Sequence, residues 1–298
     1  MLYRIVRSLP PDLVRWVGAL QFQLPFLAPL IGKLGQMSTR GVHPIASGVG
    51  KGLLFDNKGG YPGYALGTSE PEEQAVLARC IQPGAVVYNV GANIGFHAVI
   101  CSRLAGESGK VFAFEPFPAS AAQARGNLER NGFLDRAEVV QCAVSDRDGS
   151  ARFSVSGSSA VCSLTGDAVA DRSGIDRGLE IEVKTISIDS YASTSGHDPD
   201  VITLDVEGAE LAALQGARHV ILRKRPVILL ELHWLQDGFA ELFRQDLAPL
   251  GYAALNFDGS AYRFGKSPCR EHVLMMASRP VSENNEAPAD PSRDNAHG

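Results

Sequence analysis

The sequence contains no Cys-x-x-Cys pair, and its five cysteines (Cys80, Cys101, Cys142, Cys162 and Cys269) are odd in number and widely spaced. That pattern excludes a disulfide framework and a structural zinc site, and it fits a chain held in a reducing cytoplasm. Most of the five lie in apolar runs, where a thiol serves as a small hydrophobe. Clustered positive charge is scarce too. Apart from Arg223-Lys224-Arg225, which suits the end of a helix dipole, there is no basic patch, and 28 Lys and Arg against 33 Asp and Glu leave a net charge of -5. A dedicated nucleic-acid binder is therefore not expected. No internal repeat is present. The charge-free stretch between Arg15 and Lys33 contains Gln21, Gln23, Pro25 and Pro29, which count against a spanning helix of about 20 apolar residues. Asp12 and Arg15 fall where the apolar part of a signal peptide would begin. Two readings of residues 1–35 stay open: a kinked amphipathic helix packing on the core or on a second subunit of a homo-oligomer, or a contact with a membrane surface or lipid substrate.

What is present describes a globular chain. At 298 residues with 45% hydrophobic and 20% charged content, it can bury one large α/β domain with appendages. Strands read at 85–90, 110–115, 137–142, 200–205, 226–232, 252–257 and 271–277. Helices read at 71–80, 94–105, 118–131, 208–222 and 237–248, and their alternation with the strands is the mark of a doubly wound, mostly parallel sheet. The segment 145–190 breaks that rhythm: Ala151-Arg-Phe-Ser-Val-Ser and Leu179-Glu-Ile-Glu-Val-Lys-Thr alternate like half-buried strands. It reads as a β-hairpin insertion whose tip, Gly157-Ser158-Ser159, reaches toward the site. The expected organisation is an N-terminal helical appendage (1–45), a main domain (46–279) and a polar, disordered tail (280–298). Glycines and aromatics at 48–64 suggest a segment lying over a ligand, with Tyr61 and Tyr64 as candidate lid residues. Thr68 or Ser69 would cap the helix that follows.

The chain is organised around Ala85-Val-Val-Tyr-Asn-Val-Gly-Ala-Asn-Ile-Gly-Phe-His97, an apolar strand that breaks at glycine and runs into a helix. A strand, a glycine turn and a helix N-terminus together form a small-molecule site, since the N–H groups of the first helical turn point outward. The spacing is Gly-x-x-x-Gly, without the Gly-x-Gly-x-x-Gly that lets backbone approach a pyrophosphate. A nicotinamide-dependent oxidoreductase is the alternative enzyme, and the turn argues against it. Twenty residues after Gly95, the strand Lys110–Phe114 ends in Glu115-Pro116. An acid at that tip accepts hydrogen bonds from ribose hydroxyls, and Pro116 stops the strand there.

Asn-Val-Gly-Ala-Asn-Ile-Gly-Phe, then Phe-Glu-Pro, then Asp205-Val-Glu-Gly-Ala-Glu210 together resemble the FkbM-type methyltransferase family over roughly 70–277. The resemblance implies a class I methyltransferase-like, Rossmann-like fold of seven strands and S-adenosyl-L-methionine as cofactor. It implies methyl transfer to a hydroxyl of a small-molecule or saccharide acceptor, such as a sugar or secondary metabolite. One departure is Asn89, where the family usually has aspartate. An amide still accepts a hydrogen bond from a ligand ammonium or a backbone N–H, without the charge attraction.

By the residues and the resemblance together, Asn89, Gly91, Asn93 and Gly95 shape the cofactor loop, Glu115 and Pro116 meet the ribose, and Cys142, Ala143 or Asp146 meet adenine. Phe117 is either an adenine platform or a core residue, and His97 reads as packed. Asp205 ends its strand at the ligand-binding edge. Glu231 and His233, two residues apart, face one side of the next strand. Asp205, Glu231 and His233 are thus the catalytic candidates. In one mechanism His233 or a carboxylate accepts the acceptor's hydroxyl proton. In the other, the three residues bind a divalent cation such as Mg2+ that gathers a diol. A non-catalytic binding protein that kept the fold is the remaining alternative.

Overall fold

A computed structural model describes residues 6, 8–24, 26, 28–155, 162–164, 179–233, 236–265 and 270–277. The strands of its largest sheet are β1 (Val86–Val90), β2 (Lys110–Phe114), β3 (Ala137–Val140), β4 (Val201–Leu204), β5 (Val227–His233), β6 (Tyr252–Leu255) and β7 (Arg270–Ala277). They pair in the order 3-2-1-4-5-7-6. Strands β1 to β5 are parallel, and β7 runs antiparallel between β5 and β6. This is the doubly wound, mostly parallel α/β sheet that the alternating pattern predicts.

Near-continuous Val, Ile, Leu and Phe in β1, β2, β4 and β5 is what burial on both faces requires. Alternate residues divide between two cores. Val87, Val111, Val139, Val201 and Leu229 pack under the helices Pro71–Cys80, Phe96–Ala105 and Pro118–Arg130. Tyr88, Phe112, Phe114, Ile202 and Ile228 face Ile188–Ser195, Glu210–Gln215, Arg218–Lys224 and Gln236–Leu242. The chain leaves β1 toward β2 and β3 on one side and returns to β4 and β5 on the other. The crevice between β1 and β4 is therefore the switch point at which such sheets bind ligands.

The helices depart from the sequence reading at several points. The helix expected over 208–222 is two, Glu210–Gln215 and Arg218–Lys224. Gly216 lies against the chain at Ser145, whose carbonyl oxygen is 2.1 Å from where a Cβ would stand. The second piece is capped from a distance, because Asp189 accepts from the N–H groups of His219 and Val220 at 2.9 and 2.8 Å. Asp189 belongs to the helix Ile188–Ser195, which the sequence reading left out although Ser187 caps it. Neither Thr68 nor Ser69 is the N-cap of Pro71–Cys80. That position is Glu70, with a left-handed φ of 47°, and Gln74 folds back to donate to Ser69 O at 2.6 Å.

Ala143–Val144, Gly149–Val155, Cys162–Leu164 and Leu179–Ile186 build a separate four-stranded sheet beside the main one. Its tip at 157–159 and the tail at 280–298 lie outside the described residues. The first part of the chain forms helices Pro11–Gln23 and Ala28–Thr39. Among the described residues no helix is long and apolar enough to cross a membrane.

Candidate active site

The tips of three strands lie level at one edge of the sheet. Phe114, Val90 and Leu204 end β2, β1 and β4, are successive partners across their ladders, and lie level with Leu230 of β5. Glu115, Gly91 and Asp205 therefore leave the sheet side by side, next to Glu231, which is still paired within β5. Gly91 is required there on two grounds. Its φ is +84°, and a Cβ would stand 1.7 Å from the Asp205 carbonyl oxygen. Gly91→Ala combines a left-handed penalty of about 1–2 kcal/mol with a backbone clash that no side-chain motion relieves. We expect a loss on the order of 3 kcal/mol, read as a melting temperature lower by roughly 6–12 °C. An unchanged melting temperature would refute this packing.

The loop after β1 spends most of its N–H groups internally. Those of Gly91 and Ala92 donate to Phe114 O at 3.0 and 2.9 Å, and that of Gly95 to Ala92 O at 2.8 Å. Asn93 N donates to Glu115 Oε2 at 2.8 Å, and Phe117 N to Glu115 Oε1 at 2.8 Å. From 91 to 95 the loop thus contributes shape and a gripped carboxylate more than free donors, which refines the sequence expectation. Gly95 is needed because Ala124 Cα would be 2.9 Å from its Cβ. Glu115 is 6% exposed, and burial pushes its carboxyl up to about 7, against the pull of the Phe117 and Asn93 N–H groups.

Glu115 forms one wall of a pocket with about 880 Å³ of empty space, counted to its open mouth. Pro116, Cys142, Ala143 and Val144 line it beside Phe114, and Phe153 joins them from the small sheet. Glu70, His97, Asp205 and Glu207 also line it, with Tyr64 and Phe96. Tyr64 stacks on Phe96 with ring centroids 4.8 Å apart. Among the described residues four carboxylates line the pocket and no lysine or arginine does.

The backbone around this pocket is strained. Among the described residues four other than glycine have positive φ, and Glu70, Asn93 and Glu207 are three of them. Such conformations cost about 1–3 kcal/mol each and gather at functional sites.

Two histidine–carboxylate clusters flank Asp205. His233, 2% exposed, directs Nδ1 to Glu210 Oε1 at 2.8 Å. Its Nε2 faces Glu207 Oε2 at 3.4 Å, Glu231 Oε1 at 3.8 Å and Asp205 Oδ1 at 4.0 Å. Burial alone would lower the His233 pKa, but the hydrogen bond to Glu210 and the charges of Glu207, Glu210 and Asp205 raise it. Asp205, Glu231 and His233 do converge, with one ligand atom from each within 4.8 Å of the others. However, Glu231 and His233 stand behind Asp205 and Glu207 and are not part of the pocket wall. The second cluster joins His97 Nε2 to Glu70 at 3.4 Å and Nδ1 to Glu73 at 3.7 Å. Here too burial lowers the pKa, and Glu73, Glu70 and Asp205 together raise it. Carboxylates on both ring nitrogens suit an imidazolium with two N–H donors. His97, which the sequence presents as a packed residue, lines the pocket.

The remaining candidates divide. Asn89 does not reach the pocket. Alternation along β1 turns it to its partner on β4, and its Nδ2 donates to Thr203 Oγ1 at 2.8 Å in the buried sheet. Phe117 packs against Ala143, Phe153 and Val183, and Asp146 pairs locally with Ser145 and Arg147; neither lines the pocket. Tyr61 lies outside it against Tyr64. Sequence reasoning missed Phe153, Glu70 and the orienting role of Glu210.

A methyltransferase FkbM domain matches residues 89–252. The chain is 28% identical over 190 residues to the 2-O-methyltransferase NoeI of Sinorhizobium fredii, covering 59% of this chain and 76% of that one. It is 33% identical over 152 residues to the hexuronic acid methyltransferase AglP of Haloferax volcanii, covering 50% and 56%. It is 27% identical over 186 residues to the 31-O-demethyl-FK506 methyltransferase FkbM of Streptomyces tacrolimicus, covering 54% and 70%. The chain therefore belongs to the FkbM methyltransferases and is an S-adenosylmethionine-dependent enzyme.

Proposed function

We propose that this methyltransferase acts on a hydroxyl of a sugar or secondary metabolite, with Glu115 holding the cofactor ribose. The observation that carries the cofactor assignment to these residues is the charge of the pocket: four carboxylates, with no lysine or arginine among its described lining. S-adenosylmethionine carries a sulfonium and an ammonium, which such a site attracts. A dinucleotide would bring two phosphates, which it repels. The apolar side, formed by Phe114, Cys142, Ala143, Val144 and Phe153, suits an adenine ring. The fixed Glu115 carboxylate keeps lone pairs beyond those its two N–H donors use, and these suit two ribose hydroxyls.

When bound, the cofactor supplies an electrophilic methyl group, and much of the rate comes from holding the acceptor oxygen in line with it. This chain's own residues would handle the proton. Asp205 and Glu207 form the pocket wall, and a hydroxyl there can give its proton to a carboxylate. His233 Nε2, 3.4 Å behind Glu207, would take that proton on, with Glu210 holding the ring through Nδ1. The relatives support an oxygen acceptor: NoeI is named as a 2-O-methyltransferase, AglP for hexuronic acid and FkbM for 31-O-demethyl-FK506.

A second reading gives His233 to a divalent cation held with Asp205 and Glu231. It is favoured by the Glu210–His233 contact, since metal-bound histidines usually donate their other N–H to a carboxylate.

Differential melting tests the cofactor site. S-adenosylhomocysteine at 100 times its Kd should stabilise the fold by about 2.7 kcal/mol, whereas NAD should leave the melting temperature where it was. Stabilisation by NAD alone would overturn the proposal. Methyl transfer to a panel of glycosides and amines then tests the acceptor, and transfer to amines alone would contradict a hydroxyl substrate.

A further inference from the structure

We propose that the two N-terminal helices form a docking face for an anionic lipid bilayer. On Pro11–Gln23, Leu13, Trp16 and Val17 are exposed at 41, 59 and 37%. They stand at i, i+3 and i+4, so they share one stripe. Beyond that helix Phe26 is 75% exposed, Leu30 56% and Met37 61%. Of the fifteen large hydrophobics exposed among the described residues, eight lie between Leu9 and Met37. Single exposed apolar residues are ordinary, but a patch of this kind marks an interaction surface.

Charge selects the occupant. The first 40 residues carry Arg4, Arg7, Arg15, Lys33 and Arg40 against Asp12 alone, whereas the rest of the chain holds 23 basic and 32 acidic residues. The apolar stripe therefore sits in a stretch with five basic residues against one acid, unlike the acidic remainder of the chain. Leucine, tryptophan and phenylalanine beside basic residues are the composition of helices that lie in a headgroup layer, and anionic lipids attract such segments. A second copy presenting the same face would set positive charge against positive charge. Neither helix is long and apolar enough to cross the bilayer, so the surface is the place for them.

The face is joined to the active site. On Ala28–Thr39, Gly35 lies against Pro62, whose Cγ would be 2.8 Å from an added Cβ. Asn57 Nδ2 donates to Thr39 Oγ1 at 3.1 Å. Two residues beyond Pro62 is Tyr64, on the pocket wall. Docking would therefore set the pocket close to the lipid plane.

The test is cosedimentation of the full chain with vesicles of phosphatidylcholine, alone or mixed with phosphatidylglycerol. We expect about tenfold more protein on the mixed vesicles, with binding weakened by salt. The triple variant Leu13→Glu, Trp16→Glu, Phe26→Glu should lose that binding while keeping its melting temperature and its affinity for S-adenosylhomocysteine. Failure of the wild type to bind mixed vesicles at low salt would overturn the proposal. So would equal binding by the folded variant, or a dimer in sedimentation equilibrium that the variant dissolves.

Discussion

Glu115→Gln should weaken S-adenosylhomocysteine binding by about 10- to 100-fold in isothermal titration and lower the melting temperature, because one of the two backbone N–H donors then faces an amide NH2. The amide keeps one acceptor oxygen for a backbone N–H but loses the charge. A hydrogen bond to an ionised group is worth roughly 1.5–3 kcal/mol, which sets the range. Glu115→Ala should do more, because it also strands the N–H groups of Asn93 and Phe117, which Glu115 accepts at 2.8 Å each. The raised carboxyl pKa of about 7 gives this site a pH signature. A ligand that needs the ionised form binds more weakly once the carboxyl is protonated, so affinity should be level above pH 7 and fall toward about tenfold per unit below it. The fall should vanish in Glu115→Gln. Equal affinity in wild type and variant across that range would remove Glu115 from the cofactor site.

His233→Ala should lower kcat by about 10²- to 10⁴-fold, the usual worth of a positioned proton acceptor, and leave cofactor affinity nearly intact. The pKa direction fixes the accompanying profile. His233 titrates above its ordinary value and takes a proton only when neutral, so kcat/KM should rise with pH along a limb displaced above about 6.5. Glu210→Gln keeps an oxygen near Nδ1 but removes a charge that holds the pKa up, and the limb should move to lower pH. The same sign governs stability. A raised histidine pKa adds stability below its unfolded value, and that stability is lost as pH rises through the folded one. Activity should persist after EDTA treatment. Full loss with EDTA and recovery with Mg2+ would instead favour the cation held by Asp205, Glu231 and His233.

The fold was largely legible because its signals are local. Apolar runs ending in glycine or in Glu115-Pro116 announced the strands, and the spacing from Gly91 to Glu115 announced the crevice. What was not legible depends on contacts between distant residues. The split in the 208–222 helix falls at Gly216, where Ser145, far earlier in the chain, leaves no room for a Cβ. Asp189 caps a helix some thirty residues later, and no sequence window contains both partners. Within the site, Asn89 matched a motif position, yet strand alternation turned it to Thr203. Glu70 reached the pocket through a left-handed turn at a position just after two better capping residues, Thr68 and Ser69. His97 looked like a core residue because its neighbours are apolar, and only the folded chain brings Glu70 and Glu73 to its two nitrogens. Phe153 came from the small sheet, whose docking on the pocket nothing local announces.

The most direct test of the central claim is a crystal structure of the chain with S-adenosylhomocysteine. The account predicts both ribose hydroxyls on the Glu115 carboxylate, adenine between Phe114 and Phe153, and the sulfur turned toward Asp205 and Glu207. A ligand whose ribose lies away from Glu115, or whose sulfur faces away from Asp205, would contradict it.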